Sequence, residues 1–214
     1  MIKWLNKIRK PETDIKISRK FLGSLLVLLF GIGLGFFSKW LERPYTDTSF
    51  WINKIFESLK LSDIFTAMPI WLLLALVIAI YSKTPIKAGI NVFLFFLGMC
   101  TSYHYYTINY CGFNPRSYMM VWYGITILSP LLAFICWYSK GKSIPSIIID
   151  ILILTVLFLT CFSTGIWYFG FLNISSTIVF IISVIILYTS PKNTAIILLG
   201  TVITSYIFNI IFYL

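Results

Sequence analysis

The sequence has little charge: only 11% of its 214 residues are Asp, Glu, Lys or Arg, against about 25% in an average soluble domain. The same chain is 59% hydrophobic and has a mean hydropathy of +0.91. So few charged side chains do not supply the polar surface that a soluble domain of this length needs. The scarcity of charge therefore argues against an ordinary soluble protein and favours an integral membrane protein.

Residues that bind metals or perform catalysis are also scarce. The chain has one histidine and four cysteines, with no CxxC pair and no zinc-ligand spacing. HExxH and GxSxG motifs are absent. Known intramembrane chemistry needs paired acids, a metal-ligating cluster or a nucleophile beside a base. We therefore expect a protein that is not an enzyme, that has no cofactor or metal, and that binds no nucleic acid.

Long apolar runs are what the sequence has in abundance. Seven of them are long enough to cross most of a hydrocarbon core of about 30 Å as helices. They lie at about 21–39, 64–81, 87–106, 118–138, 146–163, 172–188 and 194–213. We predict an all-α membrane bundle over residues 21–214, built from one span and three helical hairpins, preceded by a basic tail at 1–20.

A short basic turn recurs between these runs and sets the predicted topology. It reads YSKTPIKA at 81–88, YSKGKSIP at 138–145 and YTSPKNTA at 188–195. With the basic tail in the cytoplasm, all three turns also lie inside, and most Lys and Arg residues lie on that side, as the positive-inside rule requires. The N-terminus is then inside and the C-terminus outside. The recurrence fits either a true repeated hairpin or the convergent chemistry of short turns.

Two segments outside the spans are predicted to lie on membrane surfaces. Apolar residues at helical spacing in 48–61 predict an amphipathic helix in the outer interface. The tail at 1–20 carries seven Lys or Arg residues against two acids, and it is expected to meet anionic lipid.

The second segment predicted to lie outside the membrane, residues 102–123, is rich in aromatic residues and contains the only histidine. One interpretation is an aromatic belt at the interface. The other is a cap over a solute, in which rings hold an apolar ligand and a cationic group meets an anion. The residues concerned are His104, Tyr105, Tyr106, Tyr110 and Arg116.

Three residues within the spans are further candidates for a site. Asp150 is the only acid in an apolar run, and it is either a proton or cation site or a shallow residue paired with Lys140 or Lys142. Asn91 enters the preceding hairpin at a similar depth, where it either faces the same site or forms an interhelical hydrogen bond. Pro130 falls near the middle of span four and predicts a kink, a feature of transporter sites and of ordinary membrane helices.

The first span carries a stripe of small residues, Ser24, Gly31, Gly35 and Ser38, which includes a GxxxG motif. Small residues allow helices in lipid to approach closely. The stripe is expected to pack either against the protein's own hairpins or against a helix of a partner protein.

The segments SKTPIKAGINVFLFFLGMCTSYHYY, RSYMMVWYGITILSPLLAFICWYSKGKS and YTSPKNT resemble an uncharacterised multispanning family of low-GC Gram-positive bacteria over roughly residues 20–214. The resemblance implies a bacterial cytoplasmic membrane and no particular activity. In size the chain is also similar to the substrate-binding subunits of energy-coupling-factor vitamin transporters. Those subunits usually have six spans and an alanine-rich first helix, whereas this chain has seven predicted spans and glycines in that helix.

Two functions follow from these features. The first is the binding or transport of a small solute in a site between the hairpins, near Asn91, Pro130 and Asp150 and closed by the outer aromatic segment. The alternative is a non-catalytic accessory subunit that docks through the small-residue stripe to a larger transporter or envelope complex.

Overall fold

The computed structural model describes residues 8–12, 17–42, 61–141, 143–165 and 167–213. Within these ranges the chain forms α-helices, one 3-10 turn at Trp137–Lys140 and two short strands, β1 (Phe162–Thr164) and β2 (Phe169–Phe171). The helices are α1 (Ile17–Leu41), α2 (Leu61–Thr66), α3 (Met68–Tyr81), α4 (Pro85–Cys111), α5 (Arg116–Cys136), α6 (Ile144–Cys161), α7 (Ile174–Leu187) and α8 (Pro191–Tyr213).

Each of the seven predicted spans coincides with an apolar helix, within a few residues at either end. Five of these helices, α1, α4, α5, α6 and α8, are long and apolar enough to cross a membrane. The other two, α3 and α7, have 14 residues each and rise about 21 Å, less than a hydrocarbon core of about 30 Å. The structure is therefore mainly helical, and among the described residues five helices are long and apolar enough to span a membrane.

The recurring basic turn has a local structural role. Its proline stands at the first or second position of the helix that follows, at Pro85, Pro145 and Pro191. Proline is tolerated there because the first backbone N–H groups of a helix have no partner within it. The Thr84 side chain also accepts a hydrogen bond from the Lys87 backbone N–H and caps α4. Each turn thus ends one helix and starts the next within a few residues.

The tail and the first two turns lie at the same end of the bundle, called the inner end below. The Glu12 backbone N–H donates to the Lys83 carbonyl at 3.1 Å, and the two side chains form an ion pair at 3.1 Å. Ile8, which is buried, lies against Gly141 in the second turn. The predicted tail at 1–20 is otherwise described only by the first turn of α1, and the amphipathic helix predicted at about 48–61 lies outside the described residues except for Leu61.

An aromatic core joins α3, α4 and α5. Its largest fully buried members are Trp137 and Phe95, and Trp71, Phe96 and Trp122 pack around them. The C-terminal helices α6, α7 and α8 form smaller apolar clusters that include residues of α3, such as Leu73, Leu76 and Ile80. Helix α3 therefore connects the two parts of the bundle.

A β-hairpin follows α6 and leads into α7. Phe162 pairs with Phe171 and Thr164 with Phe169 in antiparallel register. The hairpin rings of Phe162 and Phe169 pack against Phe158 of α6, and Phe162 also packs against Phe180 of α7. These ring contacts hold the hairpin against α6 and α7.

Candidate functional site

An apolar crevice of about 280 Å³ opens between α5 and α6, with α3 and α4 as its floor. Its lining is almost wholly aliphatic, with Phe96 as the aromatic member. From α3 and α4 come Leu72, Ala75, Leu76, Ala79, Val92 and Phe96. From α5 and α6 come Ile125, Ser129, Leu132, Ala133, Ile135, Cys136, Ile149, Leu152, Ile153, Val156 and Leu157. This volume is at the small end of known ligand cavities.

The local sequence explains why the crevice stays open. Three of the lining residues are alanines, Ala75, Ala79 and Ala133, whose side chains leave space unfilled. Leu132, Ile135, Leu152 and Val156 at the mouth are 42–55% exposed. In a membrane these exposed apolar side chains face lipid, so the crevice opens sideways toward acyl chains.

The crevice offers no free polar group to a ligand. Ser129 is buried, and its hydroxyl donates to the Thr126 carbonyl in its own helix at 2.8 Å. Cys136 is half-buried and is a free thiol, like the chain's other three cysteines. Such a lining suits an apolar ligand, because a polar one would lose its hydrogen bonds to water without replacing them.

Asp150 is buried beside the inner end of the crevice. It is 1% exposed, and its Oδ1 atom has no hydrogen bond of normal geometry with any described residue, although the Ser139 hydroxyl lies near the carboxylate. Its carboxylate is near enough to the Cys136 thiol and the Lys140 ammonium for electrostatic interaction. Direct ion pairs within the described ranges join only Lys39 to Glu42 and Lys83 to Glu12, so the pairing predicted with Lys140 is not a direct one. Lys142 lies outside the described residues.

Asn91 takes part in a hydrogen-bond network rather than lining the crevice. Its side-chain oxygen accepts from Ser24 of α1 at 2.7 Å, and its amide donates to the Ser82 hydroxyl at 3.1 Å. The Ser82 carbonyl in turn accepts from the indole of Trp137 at 2.6 Å. The structure thus gives Asn91 the interhelical hydrogen bonds that were one of its two predicted roles.

Pro130 lies on the other side of α5 from the crevice. Helix α5 continues through Pro130, whose carbonyl oxygen packs against Gly89 of α4. With Phe134, Pro130 lines a second, shallower groove of about 340 Å³ that faces away from α6. Pro130 therefore does not line the crevice, although the sequence predicted that it borders the site.

The outer aromatic residues are divided between two faces of α4. His104 faces α5, where its ring nitrogens lie 3.0 Å from the Tyr123 hydroxyl and 3.0 Å from the Asn114 side-chain oxygen. Tyr105 and Tyr106 face α1 and pack edge-on against Phe36, and Tyr110 stacks on Tyr106. Arg116 begins α5 and is exposed. These five residues do not converge on one cavity within the described part of the chain.

A buried polar cluster at the C-terminal end of α1 was not predicted from the sequence. Lys39 is 7% exposed, and its ammonium lies 2.5 Å from a Glu42 oxygen. The Tyr103 hydroxyl donates to the other Glu42 oxygen at 2.8 Å. The spacing of Lys39 and Glu42, three residues apart at the end of a helix, was the available signal.

The small-residue stripe of α1 is occupied within the chain. A Cβ atom at Gly31 would overlap the Phe95 carbonyl, and one at Gly35 would overlap the Met99 carbonyl and the Ser102 hydroxyl. At the two ends of the stripe, Ser24 bonds to Asn91 and Ser38 donates to the Phe65 carbonyl at 3.3 Å. The stripe thus docks α1 onto α4 and α2, and it leaves no room there for a helix of another protein.

Neither metal chemistry nor similarity to known proteins adds a role to this site. The described residues contain no group of three or more His, Cys, Asp or Glu side chains that could hold a metal ion. No family model, no curated protein and no solved structure matches the chain. The function must therefore be argued from the crevice itself.

Proposed function

We propose that the protein is a multi-pass membrane protein that binds and transports a small apolar solute, and that the solute occupies the α5–α6 crevice. The observation that carries the proposal is the position of the crevice between the hairpins α3–α4 and α5–α6. Binding sites of membrane transporters are formed at such boundaries between structural units. The seven-crossing topology, with the N-terminus inside, and the bacterial cytoplasmic membrane belong to the same proposal.

The lining of the crevice supports an apolar solute or an acyl-type chain. Its one hydroxyl is already bonded within α5, and its mouth is formed by exposed aliphatic residues. A ligand with an apolar body would exchange contacts with lipid for contacts with packed side chains, which attract by dispersion. Entry from the side, through lipid, requires no aqueous path.

The outer residues lie apart from the crevice, which supports a binding site in which no Arg or His side chain contacts an anionic group of the solute. Arg116 and His104 lie beyond the outer end of the crevice and contribute nothing to its walls. Asp150 is the acidic residue beside the inner end, where Lys140 also lies. Only a polar or cationic end of the solute that extends past the apolar lining would reach Asp150, and we assign to Asp150 the selection of such an end group.

The accessory-subunit alternative has weaker support from the geometry. It required the small-residue stripe of α1 as a docking surface, and that stripe packs against α4 and α2. The exposed face of α1 carries Leu and Phe side chains, which suit lipid as well as a partner helix.

Photolabelling in the native membrane tests the proposal. The full-length protein would be exposed to a fatty acid with a terminal diazirine and irradiated, and the labelled residues mapped by mass spectrometry. We expect the label on Leu152, Ile153 and Val156, at several times the yield on the lipid-facing α8 residues Val202 and Ile203.

A matched pair of variants separates the crevice from ordinary lipid contact. Val156 is 52% exposed at the mouth, whereas Val202 on α8 is 54% exposed and lines no part of the crevice. Val156→Trp should remove the crevice label because the indole fills the mouth, and Val202→Trp should leave it intact. Label spread evenly over all lipid-facing helices in the wild-type protein would contradict the proposal.

A further inference from the structure

Arg9, from the N-terminal tail, lies across the inner end of the bundle and contacts two helices at once. One terminal nitrogen of its guanidinium donates to the Trp137 carbonyl at 2.7 Å, and the other donates to the Ile80 carbonyl at 2.9 Å. The guanidinium carbon also lies 4.2 Å from the centroid of the Trp137 ring. This contact set uses the planar fork of arginine, which a lysine does not reproduce.

The two carbonyls lie next to the floor and to one wall of the crevice. Ile80 follows Ala79, the innermost crevice residue of α3, and Trp137 follows Cys136, the innermost crevice residue of α5. Arg9 therefore bridges the α3 floor and the α5 wall one residue beyond the point where the crevice ends.

The site suits a cation for reasons that do not depend on the crevice. Ile80 lies in the last turn of α3, where backbone carbonyls lack partners within the helix and the helix dipole is negative. The Trp137 indole adds a cation–π contact. Burial lowers the pKa of the Arg9 guanidinium and nearby Glu12 raises it, but an arginine side chain remains charged in proteins.

Neighbouring contacts hold the tail in register at this site. Ile8 is buried against Gly141, and Glu12 bonds to Lys83 through both backbone and side chain. Residues 8–12 thus lie across the first two inner turns, with Arg9 as the deepest polar contact.

We propose that the inner end of the bundle contains a guanidinium-binding site, filled by the chain's own Arg9, that fastens α3 to the end of α5 and fixes the distance between the crevice floor and its α5 wall. The guanidinium site stands on its contacts alone. Only the consequence that this contact shapes the crevice for a solute rests on the proposed function.

Chemical rescue and a distance measurement test this site together. Arg9→Ala removes the guanidinium, and ethylguanidinium added at low millimolar concentration should occupy the vacated site. Spin labels at Tyr81→Cys and Lys140→Cys, with Cys111 and Cys136 replaced by serine, would report the distance between the inner ends of α3 and α5 by pulsed electron paramagnetic resonance. Cys100 and Cys161 are fully buried and can stay.

With Arg9 present we expect one narrow distance distribution. Arg9→Ala should broaden it and shift it to longer distances, and ethylguanidinium should restore the narrow peak, whereas ethylammonium should not. Arg9→Lys should give an intermediate distribution, because an ammonium does not bridge both carbonyls in the same plane. Exposed Lys10→Ala is the matched control in the same tail and should change nothing.

An unchanged distribution in Arg9→Ala, or an equal response to ethylammonium, would overturn the proposal. These outcomes do not depend on any solute, so they are separate from failure of the photolabelling experiment. If Arg9→Ala does not fold, Arg9→Lys with the same labels still decides the matter. A distribution identical to that with Arg9 would then exclude the two-carbonyl bridge.

Discussion

Two helix boundaries in this bundle differ in how closely their helices approach. Between α1 and α4, Gly31 and Gly35 on one helix and Gly98 on the other bring backbones into direct contact. Between α5 and α6, the facing residues are mainly Leu, Ile and Val, and a crevice of about 280 Å³ remains. The first boundary is closed, and the second is open to lipid.

The difference follows from how helices associate in a membrane. Lipid tails are as apolar as leucine, so large aliphatic side chains gain little by leaving lipid for another helix. Glycine removes the side chain and lets backbone atoms touch, and the Ser24–Asn91 hydrogen bond adds to the α1–α4 contact. We infer that α1–α4 is the structural boundary and α5–α6 the functional one.

The strongest test of this contrast adds a single carbon to the closed boundary. Gly31→Ala places a methyl group on the Phe95 carbonyl and should destabilise the fold by about 1–3 kcal/mol through overpacking. Gly33→Ala, on the same helix with nothing within 4 Å, should be neutral or slightly stabilising. Thermal unfolding in detergent compares the two. Equal stability of these variants would remove the structural role of the stripe.

The second test adds carbons to the open boundary. Ala75→Leu fills part of the crevice floor and should stabilise the protein by about 0.5–2 kcal/mol, as cavity-filling substitutions commonly do. The same variant should capture less of the diazirine fatty acid than the wild-type protein. A destabilisation like that of Gly31→Ala would mean that the crevice is already closely packed.

A third test concerns the polar network beside the closed boundary. Asn91→Ala removes the bonds to Ser24 and Ser82 and should cost about 1 kcal/mol, the usual scale of interhelical hydrogen bonds in membranes. Asn109→Ala is the control, since Asn109 is exposed and bonds only within its own helix to the Tyr105 carbonyl. If Asn91→Ala abolished fatty-acid labelling without a loss of stability, Asn91 would belong to the binding site after all.

The smallest effect is expected at the outer end of α5. Arg116→Ala should change the free energy of unfolding by less than about 0.5 kcal/mol, because the side chain is exposed. It should also leave crevice labelling unchanged. Loss of labelling in this variant would restore the outer cap that the sequence predicted and would extend the site beyond the crevice.

The helices were predictable because a membrane-spanning helix appears in the sequence as an uninterrupted run of apolar residues. Proline at the start of α4, α6 and α8 and the basic turns before them marked their inner ends. The GxxxG motif predicted close packing, although its partner, α4, could not be read from the stripe itself. The sequence identifies the small residues, but which helix packs against them depends on how all the helices of the bundle pack together.

The candidate site was much less predictable than the helices. His104 and Tyr105 are neighbours in sequence, yet a helix turns about 100° per residue, and His104 contacts Tyr123 whereas Tyr105 packs against Phe36. The crevice is a space between aliphatic residues that carry no distinctive pattern. Arg9 is one of seven basic residues in the tail, and only the fold shows that it reaches the ends of two helices.

Native mass spectrometry, on protein extracted gently from its own membrane, tests the central claim most directly. The wild-type protein and the Val156→Trp and Val202→Trp variants would be compared after the same delipidation. The crevice account predicts an apolar ligand that is retained by the wild-type protein and by Val202→Trp and is lost from Val156→Trp. Bare protein in the wild-type sample, or the same adducts on all three proteins, would contradict it.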